Sequence, residues 1–276
     1  TTEIYTLSLH DALPILIDSA ISADSVPIYY EIHGSGEPAL VFAHGWGING
    51  GFFNHQIEAF DDSFTVIVMD LAGHGRSGHN RTGWGISKYA ADINAVLDAA
   101  QVEQAVLFGH SMSGVYVAAA AAARPERVIG VVGIDTYQSF REQYPRPQVD
   151  SFLAPFRVNF DSTVAEFAWM MLPTTTDTAV ANRIIVEFRK GDPEPLIETL
   201  DSLLTTDSSP VFASLRVPAR AINADTYPTQ VDSNRTLVPS FDVKIMQGVG
   251  HFPFIEQPEE FNRLVRETVA ELRAEK

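Results

Sequence analysis

A serine stands where an apolar run gives way at once to a helical pattern. Residues 106–114 read VLFGHSMSG, and Ser111 is the central residue of the turn between the two elements. A tight strand-to-helix turn of this kind needs small residues two positions before and two positions after the serine. Gly109 and Ser113 occupy those positions. The turn exposes the serine hydroxyl at the edge of a sheet, so Ser111 is the candidate nucleophile.

A serine nucleophile needs a base, and one histidine late in the chain is placed to provide it. The hydroxyl is a poor nucleophile near neutral pH until a neighbouring base takes its proton. His251 lies in residues 248–254, GVGHFPF, between the last predicted strand and the C-terminal helix. Chemistry in open α/β sheets gathers at the carboxyl ends of the strands, where this loop begins. His251 is therefore the candidate general base.

Two loops offer the pair of backbone donors that acyl transfer needs for the negative charge developing on the carbonyl oxygen. The N–H of Met112, directly after the serine, is the first candidate donor. Residues 42–47, FAHGWG, follow an early predicted strand, and the N–H of Trp46 is the second candidate. The Trp46 ring either borders the pocket or packs in the core, and the backbone role is independent of that choice.

The elements that must position these residues follow a regular alternation. From about residue 15, short β-branched runs alternate with longer amphipathic or alanine-rich segments. This is typical of a mostly parallel sheet with helices on both faces, so the predicted fold class is α/β. The predicted helices cover 87–100, 112–123 and 258–274, where apolar residues recur three or four positions apart. The predicted strands are Val26 to His33, Ala39 to Ala43, Thr65 to Asp70, Gln104 to Gly109, Val128 to Asp135, Ala219 to Asn223 and Val243 to Gln247.

One long region breaks the alternation. Residues 137–212 contain no clear strand, and seven prolines separate several short predicted helices. We therefore expect one α/β core, formed by residues 16–136 and 213–276, with residues 137–212 inserted as a helical cap. The large apolar side chains of the insertion either pack against the sheet or line a substrate pocket.

Charge and cysteine content exclude several classes of partner and site. The 276 residues include 35 acidic and 19 basic side chains, and the net charge is −16. Nucleic-acid binding depends on Lys and Arg that neutralise phosphates, so nucleic acid is not an expected partner. An acidic chain should also favour neutral over anionic substrates. The absence of cysteine excludes disulfides, thiolate nucleophiles and cysteine-bound metal sites.

The first residues carry little information about the fold. Residues 5–15, YTLSLHDALPI, resemble translated sequencing-adapter read-through from a metagenome-derived gene model, so residues 1–15 are a doubtful segment. They lack a basic start, and their apolar run is broken by Pro14. No run in the chain approaches the roughly eighteen apolar residues of a spanning helix. We therefore expect a cytoplasmic location and no stable membrane association.

Four motifs together carry a resemblance to a known superfamily. They are HGWG at 44–47, DLAGHGRS at 70–77, GHSMS at 109–113 and GHFP at 250–253. From about residue 20 to its C-terminus the chain resembles the α/β-hydrolase fold superfamily, in its cap-bearing serine esterase and lipase-like branch. Ser113 stands where that family usually has glycine. The resemblance implies no cofactor and a structural role for Asp70, His74 and Arg76.

The acid that would orient His251 has two candidates. In most relatives it lies a few residues past the strand that ends near Asn223, where this chain has Tyr227, which cannot act as a carboxylate. Asp225 lies on the same loop, two residues earlier. Asp135 follows seven uninterrupted small or apolar residues at the end of the preceding strand, a place that some branches of the family use. We favour Asp135, because turn residues around Asp225 explain that carboxylate without catalysis.

These residues predict a serine hydrolase that cleaves carboxylic esters of small to medium apolar substrates through an acyl-enzyme intermediate. Hydrolysis of a lactone or a carbon–carbon bond, or cofactor-free perhydrolysis, would use the same residues. A ligand receptor with slow turnover is an alternative from a different class. No HExxH motif or cluster of histidines and carboxylates at ligand spacing occurs, so we expect no metal and no other cofactor.

Overall fold

A mixed sheet of eight strands runs through the part of the chain that the computed structural model describes, residues 16–276. The doubtful segment 1–15 lies outside the described residues. Each of the seven predicted strands is present within one residue of its predicted ends. The strands are β1 (Leu16–Ile21), β2 (Pro27–His33), β3 (Ala39–Ala43), β4 (Val66–Met69), β5 (Ala105–His110), β6 (Val128–Ile134), β7 (Ala219–Ala224) and β8 (Asp242–Met246).

Strand β1 is the one that the sequence pattern does not predict. It pairs only with β2, at the edge of the sheet, and five of its six side chains are exposed. An exposed edge strand has no buried face to impose an alternation of apolar and polar residues, so the sequence carries no pattern that marks it.

The order of the strands brings two of the candidate loops together. The order is β1-β2-β4-β3-β5-β6-β7-β8, and every pair from β4 to β8 is parallel. From β3 the chain moves to one side to form β4 and then crosses to the other side to form β5. Ligands bind outside the carboxyl ends of strands at such a reversal. Ala43 and His110 end β3 and β5 at this point, just before Trp46 and Ser111.

The centre of the sheet is covered on both faces. Strands β3, β4, β5, β6 and β7 are buried along their whole length. Because successive side chains of a strand point to opposite faces, complete burial means that helices cover both sides. This is why these strands read as continuous apolar runs rather than as alternating ones. The sheet confirms the predicted α/β class.

Eleven α-helices and one 3₁₀ turn (Gly50–Phe53) surround the sheet within residues 16–276. Three of them, α2 (Ile86–Ala99), α3 (Ser113–Ala123) and α11 (Pro258–Ala274), match the predicted helices. In α11 the buried residues recur three or four positions apart, so one face packs on the core. The helices are α1 (Asn54–Phe60), α2 (Ile86–Ala99), α3 (Ser113–Ala123), α4 (Arg146–Val158), α5 (Phe160–Met170), α6 (Thr178–Lys190), α7 (Pro193–Thr205), α8 (Ser209–Ser214), α9 (Val231–Arg235), α10 (Pro253–Glu256) and α11 (Pro258–Ala274).

The region between β6 and β7 holds five of these helices, α4 to α8, and no strand. It packs on the end of β3 through aromatic contacts: the Trp46 ring lies 5.7, 5.7 and 5.2 Å from the rings of Phe156, Phe167 and Phe188. The indole Nε1–H donates to the carbonyl oxygen of Leu196 at 2.8 Å. These helices therefore lie over the carboxyl edge of the sheet. The division into a core and a cap stays a prediction.

Candidate active site

Ser111 lies in a strained turn between β5 and α3. Its backbone φ is +53°, in the left-handed region that costs a residue other than glycine about 1–3 kcal/mol. Its N–H donates to the carbonyl of Ile134 at 3.0 Å, which ties the turn to the end of β6. A Cβ on Gly109 would lie 2.4 Å from the Ser113 carbonyl oxygen, so the turn requires glycine there. Such strain persists only where the surrounding structure holds it, and it is concentrated at functional sites.

The hydroxyl of Ser113 binds the loop that carries Trp46. This buried side chain donates to the carbonyl oxygen of His44. The His44 ring donates from Nδ1 to the Gly45 carbonyl at 2.7 Å and accepts the Leu71 N–H at Nε2, 2.9 Å away. The two partners fix a neutral ring, and burial lowers the pKa of His44 to about 4. The loop after β3 is thus bonded to the loops after β4 and β5.

Two backbone donors, one in the loop after β3 and one directly after Ser111, are left without a protein acceptor. In the hydrogen bonds found across residues 16–276, the N–H groups of Trp46 and Met112 have no partner. Both residues are buried, and buried N–H groups are nearly always paired. Unpaired N–H groups of this kind have the chemistry needed to bind an anionic oxygen. The Trp46 ring, by contrast, is 5% exposed and packs among the aromatic rings of the insertion.

His251 and Asp135 meet at the sheet edge. The distance from His251 Nδ1 to Asp135 Oδ2 is 2.6 Å, the length of a charge-assisted hydrogen bond. Asp135 is 7% exposed and also adopts a positive φ, +43°, directly after β6. Its other oxygen accepts the N–H of Ala224 at 2.9 Å, so the carboxylate is held from the neighbouring strand β7. The His251 side chain is 22% exposed, so its ring is not sealed in the core.

Asp225, the alternative acid, has a different partner. Its Oδ1 accepts the N–H of Gly248 at 3.1 Å, which joins the loop after β7 to the loop after β8. The side chain is exposed. The structure therefore brings Asp135, and not Asp225, into hydrogen-bond contact with the His251 ring.

A cavity of about 180 Å³ opens beside Ser111. One wall comes from the core and the opposite wall from α7, α8 and the segment before α4. The lining contains no Lys, Arg or His side chain, and Glu142 is its single charged group. The lining residues are Ser111, Met112, Val115, Thr136, Tyr137, Ser139, Glu142, Tyr144, Leu203, Leu204, Ser208 and Phe212.

Polar side chains of the loop after β4 form hydrogen bonds with backbone groups of the protein. The Asp70 carboxylate accepts the backbone N–H groups of Gly50 and Arg76 at 2.7 and 2.8 Å, and burial raises its pKa. The ring of His74 is buried, which lowers its pKa to about 3 and keeps it neutral.

Within residues 16–276, no group of three or more histidines and carboxylates is arranged to hold a metal ion. The same residues include no helix long and apolar enough to cross a membrane.

Two contacts of the site were not deduced from the sequence. The pairing of Ser113 with His44 could have been suspected, because a hydroxyl stands where the family usually has glycine. The second contact joins the Glu256 carboxylate to the loop that carries His251. It could not be predicted, because nothing in the sequence separates Glu256 from the other acidic residues near the C-terminus.

Comparison with known proteins agrees with the fold. A sequence model of the alpha/beta hydrolase family matches residues 40–264. The pimeloyl-[acyl-carrier protein] methyl ester esterase of Yersinia enterocolitica is 29% identical over 251 residues, which cover 86% of this chain and 95% of that protein. The esterase of the same name from Serratia marcescens is 29% identical over 256 residues, 88% of this chain and 98% of that protein.

Solved structures show the same architecture. Est816, described as an N-acyl homoserine lactone degrading enzyme, is 27% identical with a TM-score of 0.77 and covers 90% of this chain and 99% of its own. An esterase of Exiguobacterium antarcticum has a TM-score of 0.84 at 17% identity and covers 92% of this chain and 100% of its own, a likeness of fold alone. The family match spans most of the chain: this protein belongs to the alpha/beta hydrolase family.

Proposed function

We propose that this protein is a carboxylic-ester hydrolase with Ser111 as nucleophile, His251 as general base and Asp135 as the orienting acid. The observation that carries the proposal is the 2.6 Å hydrogen bond from His251 Nδ1 to Asp135 Oδ2. The His251 loop also contacts His110, the residue directly before Ser111, whose φ is +53°. The carboxylate keeps the proton on Nδ1, which leaves Nε2 free to accept one.

Acylation follows from these roles. Nε2 of His251 takes the hydroxyl proton of Ser111 as the serine oxygen bonds to the acyl carbon of the ester. The carbonyl electrons move onto the oxygen, and the N–H groups of Trp46 and Met112 stabilise the resulting negative charge. As the tetrahedral intermediate collapses, the bond to the alkoxy oxygen breaks, and His251 returns the proton to the departing alcohol.

Deacylation repeats the sequence with water in place of the serine. His251 takes a proton from a water molecule whose oxygen bonds to the acyl carbon, and the same two N–H groups hold the oxyanion. The serine–acyl bond breaks, Ser111 recovers its proton from His251, and the carboxylic acid leaves. Each step balances without a cofactor.

The cavity supports small to medium neutral esters as substrates. Its apolar wall includes Leu203, Leu204 and Phe212, and its single charged side chain is the acidic Glu142. An acidic group at the cavity and a net charge of −16 both repel a carboxylate-bearing substrate. We take helices α4 to α8 as the cap, because α7 and α8 supply the wall that faces the serine.

Lactone hydrolysis is a second candidate with its own support. The solved structure that is 27% identical to this chain is described as a lactone-degrading enzyme. A lactone is an internal ester, so the same proton transfers open its ring and the alcohol stays attached to the acyl group. A kcat/KM that is higher for an N-acyl homoserine lactone than for a p-nitrophenyl ester of equal acyl length would favour this candidate.

Hydrolysis of p-nitrophenyl esters from acetate to decanoate tests the proposal. We expect turnover that peaks at short or medium acyl chains and falls by at least about a thousandfold in Ser111→Ala. Ser214→Ala, which removes an exposed hydroxyl bonded to the Val211 carbonyl, is the control and should keep the parental rate. An active Ser111→Ala variant would place the nucleophile elsewhere.

A further inference from the structure

A carboxylate lies behind the loop that carries His251. Glu256 ends the short helix α10, and its two oxygens each lie 3.1 Å from the backbone nitrogen of Gly250. One of them also accepts the N–H of Phe252 at 3.1 Å. These donors belong to the residues directly before and after His251, and both residues are buried. Hydrogen bonds from backbone N–H groups to a carboxylate are about twice as strong as bonds between neutral groups.

The backbone of His251 itself is held from two further directions. Its N–H donates to the carbonyl of Met171 at 2.9 Å. Its carbonyl oxygen accepts a hydrogen bond from Nε2 of His110 at 2.7 Å. His110 is fully buried, and burial together with the neighbouring His251 lowers its pKa well below the usual value, so the ring donates as a neutral group. Three consecutive N–H groups and one carbonyl around His251 therefore each have a fixed partner.

Some of the hydrogen bonds that hold the His251 loop come from the segment between α5 and α6. The Thr176 hydroxyl lies 3.0 Å from Glu256 Oε2 and donates to it. Met171 and Thr176 both lie in the segment between α5 and α6, so this one segment contacts the His251 loop at two points. A Cβ on Gly250 would lie 2.5 Å from both the Met171 carbonyl oxygen and the Pro173 Cδ. Glycine at position 250 is what allows the segment to approach so closely.

We infer that Glu256 is a positioning residue for His251, and that Thr176 links it to the insertion. Glu256 contacts the backbone on both sides of His251 and acts on the ring through that backbone. Moving a reacting group by about 1 Å costs on the order of a hundredfold in rate. The expected loss of rate rests on the proposed function. The position of the His251 ring does not, because it is independent of the substrate.

Graded substitutions test the inference through kinetics. Glu256→Leu leaves two buried N–H groups without an acceptor, so we expect kcat to fall about a hundredfold with KM within twofold of the parent. Glu256→Gln keeps one oxygen acceptor and should recover most of that loss, with kcat reduced about fivefold to tenfold. Thr176→Val should lower kcat about threefold. Glu259→Gln, the same change at an exposed site in the first turn of α11, is the matched control and should leave kcat unchanged.

A proton spectrum provides a readout that needs no substrate. The proton on His251 Nδ1, bonded to Asp135, gives a separate signal far downfield in NMR. We expect the signal in the parent, in Glu259→Gln and, broadened, in Glu256→Gln. In Glu256→Leu it should be lost to exchange with water while the rest of the spectrum stays dispersed.

The outcomes separate the inference from the proposed function. If Glu256→Leu is folded, keeps the downfield signal and retains kcat within twofold, the inference is wrong. If that variant does not fold, Glu256→Gln decides: parental kcat and a sharp signal would overturn the inference. If the parent hydrolyses no ester but the signal still responds to Glu256, the proposed function fails and the positioning role stands.

Discussion

The edge of the sheet and the helical insertion are built by different means. At the edge, polar atoms are held by directional hydrogen bonds: Asp135 accepts from His251 and Ala224, and the hydroxyl of Ser113 binds the His44 carbonyl. The insertion is held mainly by aromatic packing around Trp46, and parts of it remain apolar and exposed, such as Met170, which is 72% exposed.

This difference indicates that the two regions have separate roles. Directional bonds fix the angles and distances on which proton transfer depends, so the edge tolerates few changes. Aromatic packing fixes volume and shape, and volume-conserving exchanges in such contacts usually cost less than about 1.5 kcal/mol. We expect the edge to determine the reaction and the insertion to determine which substrate fits.

The largest expected effect is at the edge. Asp135→Asn keeps the shape of the side chain but removes the charge that holds the Nδ1 proton of His251 and stabilises the charged ring. We expect kcat to fall by about ten thousandfold. Asp225→Asn removes the charge but keeps an oxygen that can accept the Gly248 N–H, so it should retain most of the parental rate. Loss of activity in the second variant alone would show that Asp225 is the acid.

Trp46 connects the two regions, so substitutions there separate stability from chemistry. Trp46→Ala removes a side chain that contacts four phenylalanine rings and should lower the free energy of unfolding by about 3–5 kcal/mol. Its backbone N–H remains, so Ser111 should still react with a serine-directed probe within about tenfold of the parental rate. Urea unfolding and labelling kinetics measure the two effects. A stable but unreactive variant would mean that the ring itself acts in the chemistry.

Stability should fall in acid because of the buried histidines at the edge. Burial lowers the pKa of His44 to about 4 and of His74 to about 3, below the value near 6.5 of an unfolded chain. Between these values the unfolded chain binds the proton, so stability is lost as pH falls through about 6.5 towards 4. Each histidine should cost about 2 kcal/mol at pH 5 relative to pH 7.

Urea unfolding of two variants isolates this effect from other titrating groups. His74→Asn should reduce the loss between pH 7 and pH 5 by about 2 kcal/mol, because the amide keeps a donor for the Ala72 carbonyl and cannot be protonated. His55→Asn, at an exposed site, should leave the loss unchanged. Equal pH dependence in the parent and in His74→Asn would contradict the prediction.

The smallest expected effect is at the cavity beside Ser111, at a side chain in the segment before α4. Glu142→Gln removes the single charged side chain of the cavity. The kcat/KM for a succinate monoester should rise about threefold to tenfold relative to the matching neutral ester, and the gain should shrink in high salt. Glu198→Gln, an exposed change on α7 outside the cavity, is the control. An unchanged ratio would remove Glu142 from substrate selection.

The residues at the edge of the sheet could be predicted from the sequence because local structure dictates their neighbours. Ser111 and His251 could be recognised because a strained turn and a strand end impose residue types on their immediate neighbours. Asp135 could be favoured because seven buried residues in a row place the next side chain at the edge of the sheet. Each of these signals is local in the chain.

The remaining features depend on contacts between distant segments. Glu256 and Thr176 are 80 positions apart, and no local pattern indicates that they meet. The cavity wall depends on how α7 and α8 pack, and a list of apolar residues does not specify that arrangement. The exposed edge strand β1 lacks a buried face and with it the periodicity that would reveal it.

Labelling with a fluorophosphonate tests the central claim most directly, because the reagent reacts with a serine only when a base activates it. Mass spectrometry of the digested protein should find one adduct, on Ser111, and labelling should be at least about a thousandfold slower in His251→Ala. An adduct on a different serine, or labelling of Ser111 at the parental rate without His251, would contradict the assignment of nucleophile and base.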